Sequence, residues 1–211
     1  MAIKPILFNT EMVRAILDGR KTCTRRVIEL PENMDGVPVG KSGDSSNPLG
    51  FMYPGGIKRP PYQPGDILYV RETWCALPVN EAGHMRGHSI YYYRADGDLR
   101  PEGWRGKWRP SIHMPKEAAR IWLKVTDVRV ERLQEIDEDG VWDEGFKFKP
   151  PCLTRVSADG HTCDLDGPCM SSIKYCDMTI GELFGRELWN STIKKSDLNR
   201  YGWDANPWVW V

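Results

Sequence analysis

The sequence predicts an α+β fold of short strands and a few helices, and two apolar patterns carry this prediction. Residues 10–17 repeat apolar side chains with the helical period, which predicts an amphipathic helix. Residues 119–131 alternate apolar and polar side chains as a strand does, but the alternation slips once between Val125 and Val128. A single slip indicates a β-bulge, by which a strand bends around a barrel corner. We therefore expect a small mixed β-barrel with flanking helices.

The first helix is bounded by signals at both ends. Asn9 and Thr10 can cap its start, and Gly19 can adopt the left-handed conformation that ends a helix. Its apolar face consists of four residues: Met12, Val13, Ile16 and Leu17. The segment from Lys21 to Ile28 follows this helix directly and is predicted to be a strand.

The remaining elements follow from shorter patterns. Strands are expected at 66–72, 89–94, 119–131 and 207–211. Pro207 suits only the first position of the last strand, because proline cannot donate to a strand ladder. Helices are expected at 134–146 and 179–189.

The chain is expected to form a single domain over residues 1–211. A chain of 211 residues can bury one good core, and its two halves show no clear shift in composition. We expect three stretches to be insertions in this domain: 31–61, 77–87 and 147–176. The region from Pro31 to Pro64 is rich in Gly, Pro, Ser and Asn, which predicts a long loop or lid rather than core.

The net charge and the hydropathy of the sequence limit the kinds of molecule that we expect this protein to bind. The 29 basic and 29 acidic residues leave no net charge, which disfavours a protein that must neutralise many phosphates. A localised basic cleft is still compatible with this balance. No stretch approaches the ~20 apolar residues of a membrane span, and Met1 to Asn9 do not resemble a signal peptide. We expect a soluble, cytoplasmic protein without a membrane partner.

Six cysteines raise the question of disulfides or metal. Cys23 and Cys75 fall in predicted core strands, and the lack of a secretion signal favours reduced thiols. The third insertion holds five further candidate metal ligands: Cys152, His161, Cys163, Cys169 and Cys176. A zinc site needs about four such ligands. However, the C-x2-C pair usual in structural zinc sites is missing, so the sequence favours free thiols while leaving zinc open. No cofactor is expected.

The residues best suited to chemistry lie in two motifs. Residues 19–26 read G-x-K-x-x-T-x-R, and residues 65–74 place Glu72 at the end of an apolar run. Together these motifs resemble the ASCH domain, a family of the PUA-like superfamily. Four further segments resemble phage and prophage members of that family: 108–114, 119–133, 139–146 and 203–211.

The resemblance implies a small PUA-like barrel with a cleft that binds RNA or a modified nucleoside. Some small bacterial members hydrolyse the amide of N4-acetylcytidine with a lysine and a threonine of the motif and a downstream glutamate. The matching residues here are Lys21, Thr24 and Glu72, which we take as the candidate catalytic residues. Arg26, Arg71 and Trp74 are the candidates for substrate binding. Arg26 has a rigid fork of donors for a phosphate or a base edge, and Trp74 could stack on a base.

The chemistry of this trio sets a geometric condition. Threonine is a poor nucleophile unless a neighbouring base takes its proton, and Lys21 is the nearest candidate base. A regular strand would send Lys21 and Thr24 to opposite faces, so the proposal needs a bend or bulge at Thr22 or Cys23. Glu72 would orient the lysine or carry a proton to the departing amine.

Other functions, and purely structural roles for these residues, are also compatible with the sequence. The protein could hold RNA or a modified base without catalysis, or it could be a phage accessory protein that acts through protein contacts. The residues could also have ordinary structural roles, with Lys21 at a helix end, Thr24 in a strand and Glu72 paired with Arg26.

Overall fold

The computed structural model describes residues 1–78, 89–100, 102–103, 106–147 and 178–211. The α+β prediction is confirmed, because short strands and helices occur together throughout the described residues. The strands are β1 (Ile3–Leu7), β2 (Arg26–Val27), β3 (Val37–Val39), β4 (Gly50–Tyr53), β5 (Gly56–Lys58), β6 (Ile67–Arg71), β7 (Trp74–Pro78), β8 (Ser89–Tyr93), β9 (Trp122–Lys124), β10 (Val130–Arg132) and β11 (Trp208–Trp210). The helices are α1 (Thr10–Leu17), α2 (Glu138–Asp143), α3 (Ile180–Leu183), α4 (Asn190–Thr192) and α5 (Leu198–Tyr201), with a π-helical stretch over Phe184–Trp189 between α3 and α4.

The described strands form four small sheets, and none of these sheets closes into a barrel. Backbone contacts divide the chain into two compact units. The first unit comprises Met1–Arg20 and Pro31–Arg129, and the second comprises Lys21–Leu30 and Val130–Val211.

The first unit is organised around β6, which pairs in parallel with β1 and antiparallel with β9. Ile6, Leu68 and Val70 are buried and pack with Val13 of α1 in one apolar cluster. Helix α1 confirms the sequence prediction, because the Asn9 side chain accepts from the Met12 N–H at 2.8 Å and Gly19 has a φ of 71°. Leu17 is the exception on the predicted apolar face, since it is 51% exposed.

The stretch from residue 31 to 61 is more ordered than the sequence predicts. Strands β3, β4 and β5 form an antiparallel meander within it, and Phe51 of β4 is fully buried. The prediction of a loop or lid rather than core is therefore wrong for this part. In such a segment, the hydrogen bonds between strands and one large buried side chain stabilise a sheet in spite of the many turn-forming residues.

Asp66 fixes the start of β6 in the first unit. Its carboxylate accepts from the Ala2 N–H at 2.8 Å and pairs with Lys4 Nζ at 2.7 Å. The hydrogen bond from Lys4, followed by that from the Ala2 backbone, lowers the pKa of Asp66 to about 2. Because this pKa lies below that of the unfolded chain, the ionised group stabilises the folded protein at neutral pH.

We expect Asp66→Asn to lower the free energy of unfolding by about 1–3 kcal/mol at neutral pH. The difference from the wild type should be full above about pH 4 and should shrink as the pH falls toward about 2, where the wild-type carboxyl takes up its proton. Urea unfolding of both proteins across this pH range measures the difference in the free energy of unfolding. A difference that grows on acidification would contradict the assigned role of Asp66.

The second unit is built on an antiparallel sheet with β11 at its centre, between β10 and β2. Val209 of β11 is fully buried and packs with Leu133, Val141, Phe184 and Trp203. Helix α3 begins with a capping box, in which Thr179 and Glu182 each bond the other's backbone N–H. The predicted helix over 179–189 is thus confirmed, with its second half in π geometry.

Three predicted elements need correction. The strand expected over 119–131 is two strands, β9 in the first unit and β10 in the second, so the slip marks a change of sheet rather than a bulge. The strand expected over 21–28 is reduced to β2. The helix expected over 134–146 is the six-residue α2, which Asp137 caps by accepting from the Gly140 N–H at 2.8 Å.

In the part of the chain that the structure describes, no helix is long and apolar enough to cross a membrane.

Candidate functional site

The motif loop, residues 21–25, contains the bend that the sequence argument requires. The N–H groups of Thr22 and Cys23 both donate to the carbonyl of Asp143, at 2.8 and 3.0 Å. Two successive amides on one carbonyl are the hydrogen-bond pattern of a bulge, in which one partner residue faces two. Lys21 itself forms an isolated antiparallel bridge with Glu144. The loop is therefore fastened to the C-terminal end of α2.

Lys21 is held inside the second unit by oxygen acceptors. Its side chain is 2% exposed, and Nζ lies 2.5 Å from Glu144 Oε2. The same Nζ donates to the carbonyl of Cys23 at 2.7 Å and to that of Glu144 at 3.2 Å. Three acceptors match the three donor protons of an ammonium group. The amine is therefore fixed in position before any ligand binds.

The carboxylate that contacts Lys21 is Glu144, a residue that the sequence argument missed. Glu144 is buried, and its second oxygen, Oε1, accepts from the Arg25 N–H at 2.6 Å. Arg25 Nη1 lies 3.4 Å from the same oxygen, and Arg25 Nη2 lies 3.2 Å from Glu131 Oε2. Lys21, Arg25, Glu131 and Glu144 form what we call the charge cluster. Each ion in it has a partner of opposite sign, as buried charges require.

Thr24 lies between the two anchored ends of this loop. The carbonyl of Cys23 before it accepts from Lys21, and the N–H of Arg25 after it donates to Glu144. Thr24 is half-buried. Its hydroxyl makes no hydrogen bond with any other described residue of the second unit. In contrast, the exposed Thr22 donates its hydroxyl to Asp143 Oδ1 at 2.7 Å.

Arg26, a predicted substrate-binding residue, belongs to β2 in the second unit. It stands opposite Trp210 of β11 in the strand register and is half-buried.

Glu72 lies in the first unit and is paired there with Arg120. Its side chain is 1% exposed, and its two oxygens accept from Arg120 Nε at 2.9 Å and Nη2 at 3.1 Å. Arg120 also binds Asp96 at 2.7 Å and lies 4.0 Å from the centre of the Tyr93 ring. Burial raises the pKa of Glu72, and the bonds from Arg120 oppose that rise. Such a two-pronged pair is rigid and directional.

Arg71 and Trp74, the other two predicted binding residues, flank Glu72 in the first unit. Arg71 donates to the carbonyl of Ile112. Trp74 is buried in an apolar cluster with Met114 and Ala118. The six predicted site residues thus divide by unit: Lys21, Thr24 and Arg26 belong to the second, and Arg71, Glu72 and Trp74 to the first.

The remaining predicted chemistry concerns cysteines. The proposed zinc ligands of the third insertion lie outside the described residues, namely Cys152, His161, Cys163, Cys169 and Cys176. Within the described ranges, no group of three or more His, Cys, Asp or Glu side chains could hold a metal ion. Cys75 is buried, and this burial raises the pKa of its thiol, which disfavours the reactive thiolate.

The signal for Glu144 was present in the sequence but not specific. Four carboxylates occur between residues 138 and 144, and periodicity alone does not tell which of them turns inward. Comparisons of the chain with protein-family models, with curated proteins and with solved structures found no match. Evidence for function therefore comes from the geometry of the motif loop and the charge cluster.

Proposed function

We propose that this protein is a PUA-like, ASCH-type amidohydrolase that cleaves the amide of N4-acetylcytidine or a related N4-acylated cytidine, free or within RNA. Thr24 is the nucleophile and Lys21 is the base in this proposal. The observation that carries it is that Lys21 Nζ lies 2.5 Å from Glu144 Oε2 and donates to the carbonyl of Cys23, the residue before Thr24. Amide cleavage by a threonine needs a hydroxyl, an amine that takes its proton and a carboxylate beside that amine. The motif loop and Glu144 together supply these three groups.

Glu144 takes the role that the sequence argument gave to Glu72. Both oxygens of Glu72 accept from Arg120, whereas Glu144 directs one oxygen at Lys21. A base must be neutral before it can accept a proton, and Glu144 Oε2 lies close enough to take the extra proton of Lys21. The pair can therefore exchange a proton without net change of charge.

The reaction then proceeds in two balanced halves. Thr24 Oγ1 attacks the amide carbon while its proton passes to Lys21, and the tetrahedral intermediate collapses as that proton moves to the departing N4 amine. Cytidine leaves, and the acyl group remains as an ester on Thr24. A water molecule, deprotonated by Lys21, attacks this ester, and the proton returns to Thr24 as the free acid is released. One amide and one water give one amine and one acid.

A second candidate function, binding of RNA or a modified base without catalysis, is favoured by an arginine and tryptophan surface in the first unit. Trp108 is half-buried, and Arg100 lies 4.8 Å from the centre of its ring. Arg94, which is exposed, lies 5.4 Å from the centre of the same ring. Arginine beside aromatic rings is the usual combination of single-strand nucleic-acid surfaces.

We expect Thr24→Ala to lower the turnover of N4-acetylcytidine by about 100-fold or more, since the hydroxyl that forms the ester is gone. Thr24→Ser should retain part of the rate because it keeps the hydroxyl. Thr22→Ala is the matched control, a threonine two positions away whose loss should leave turnover within about twofold. Release of cytidine, followed by chromatography, measures all four proteins.

Two results would contradict the proposal. Undiminished turnover by Thr24→Ala would show that Thr24 is not the nucleophile. Saturable binding of N4-acetylcytidine by calorimetry, with no cytidine released by the wild type, would favour the binding module instead.

A further inference from the structure

Arg25 is a buried arginine whose contacts all lie within the second unit. Its side chain is 1% exposed. Nη1 donates to the Gly140 carbonyl at 3.3 Å and approaches Glu144 Oε1 at 3.4 Å, while Nη2 reaches Glu131 Oε2 at 3.2 Å. The backbone N–H of the same residue donates to Glu144 Oε1 at 2.6 Å. One residue therefore contacts Glu144 through both its backbone and its side chain.

These contacts define the direction of the Glu144 carboxylate. Oε1 faces the two donors of Arg25, so Oε2 is left to face Lys21. A carboxyl group held at one oxygen in this way cannot rotate about its bond to the side chain without losing both donors. The direction of the oxygen that meets Lys21 is thus set by Arg25.

The fold makes room for this arginine at a local cost. Gly140 lies inside α2, and a Cβ at that position would be 2.9 Å from Arg25 Nη2 and 2.8 Å from Asp137 Oδ1. Glycine is a poor helix former, so its place in α2 is explained by the space that the guanidinium needs. Arg25 Nε is buried and finds no acceptor among the described residues. An apolar side chain would avoid both costs, which indicates that the charge itself has a role.

We infer that Arg25 is a positioning residue that keeps the Glu144 carboxylate turned toward Lys21. It does not touch the substrate, since its side chain is buried. Its effect on turnover rests on the proposed function, but its effect on Glu144 does not, because the direction of the Glu144 carboxylate can be determined without substrate.

The first test is the direction of the Glu144 carboxylate in crystals of the protein without ligand. We expect Arg25→Gln to lengthen the contact between Glu144 Oε2 and Lys21 Nζ, 2.5 Å in the wild type, beyond hydrogen-bond distance. Arg132→Gln is the matched control, an arginine of the same unit that donates to the Asn206 carbonyl and stacks on Trp208. It should leave the contact in place.

The second test is kinetic and separates positioning from substrate binding. Arg25→Gln should lower kcat about tenfold or more with KM within about twofold. Arg25→Lys, which keeps the charge but loses the fork, should recover part of both the contact and kcat. It also serves if Arg25→Gln does not fold, because a Lys variant that loses the contact between Glu144 and Lys21 but keeps the wild-type kcat would overturn the inference.

The outcomes distinguish this inference from the proposed function. An unchanged contact between Glu144 and Lys21 in folded Arg25→Gln overturns the inference, and so does a raised KM with unchanged kcat. A contact that is lost in Arg25→Gln, together with a wild type that shows no turnover, supports the positioning of Glu144 and removes the hydrolase proposal alone.

Discussion

Glu144→Ala is expected to lower the free energy of unfolding by about 3–5 kcal/mol, the cost of leaving buried charges without their partner. Its carboxylate is the contact of both Lys21 Nζ and the Arg25 N–H, at 2.5 and 2.6 Å. Alanine would leave the Lys21 ammonium, whose side chain is 2% exposed, without its carboxylate partner. The buried Arg25 guanidinium would lose one of its two carboxylate contacts. Equilibrium unfolding in urea, followed by circular dichroism, measures the loss.

The matched control for this substitution is Asp139→Ala. Asp139 is an exposed acidic residue in the first turn of α2, so its loss should cost no more than about 1 kcal/mol. Glu144→Gln, which keeps one oxygen acceptor, should fall between the two. A Glu144→Ala protein as stable as Asp139→Ala would show that the charge cluster does not form in solution.

Gly185→Ala is expected to destabilise the protein by about 1–3 kcal/mol or more, because the added methyl group has no room. A Cβ at Gly185, in the π-helical stretch, would lie 2.0 Å from Trp203 Cδ2 and 2.1 Å from Cε3. Trp203 is itself buried in the apolar cluster of the second unit, so its ring cannot move away without disturbing that cluster. Thermal and urea unfolding measure the change.

Gly181→Ala is an internal control one helical turn earlier. A Cβ there would meet its nearest neighbour, Ile136 Cγ2, at 3.6 Å, which is ordinary contact. Alanine is the better helix former by about 1 kcal/mol, so this variant should equal or exceed the wild type in stability. Equal losses from both substitutions would show that helix geometry, and not contact with Trp203, determines the effect.

Local signals in the sequence predicted the helices better than the strands. Helix α1 could be predicted because the Asn9 cap, the apolar face and Gly19 all lie within its own residues. The strand expected over 119–131 failed, because the choice of sheet for β9 and β10 depends on partners distant in sequence: Leu68 faces Leu123, and Trp210 faces Val130. The β3–β5 meander was missed for a related reason, since turn-rich composition hides strands as short as three residues.

The candidate site was predictable only in its contiguous part. Lys21 and Thr24 belong to one short motif, and the bend between them followed from the alternation of strand side chains. The acidic partner of Lys21 could not be found in this way, because Lys21 and Glu144 are 123 residues apart. Such a pairing is made by the fold, and a pattern read along the chain contains no signal for it.

The attachment of the motif loop to a single carbonyl has a consequence for motion. Asp143, whose carbonyl receives both the Thr22 and the Cys23 N–H, is the last residue of α2, a helix of six residues. Helices this short are marginal by themselves and fray at their ends. When the last turn of α2 unwinds, the loop loses its two amide anchors in the same event. The fraction of molecules in which the site is assembled therefore depends on the helix–coil equilibrium of α2.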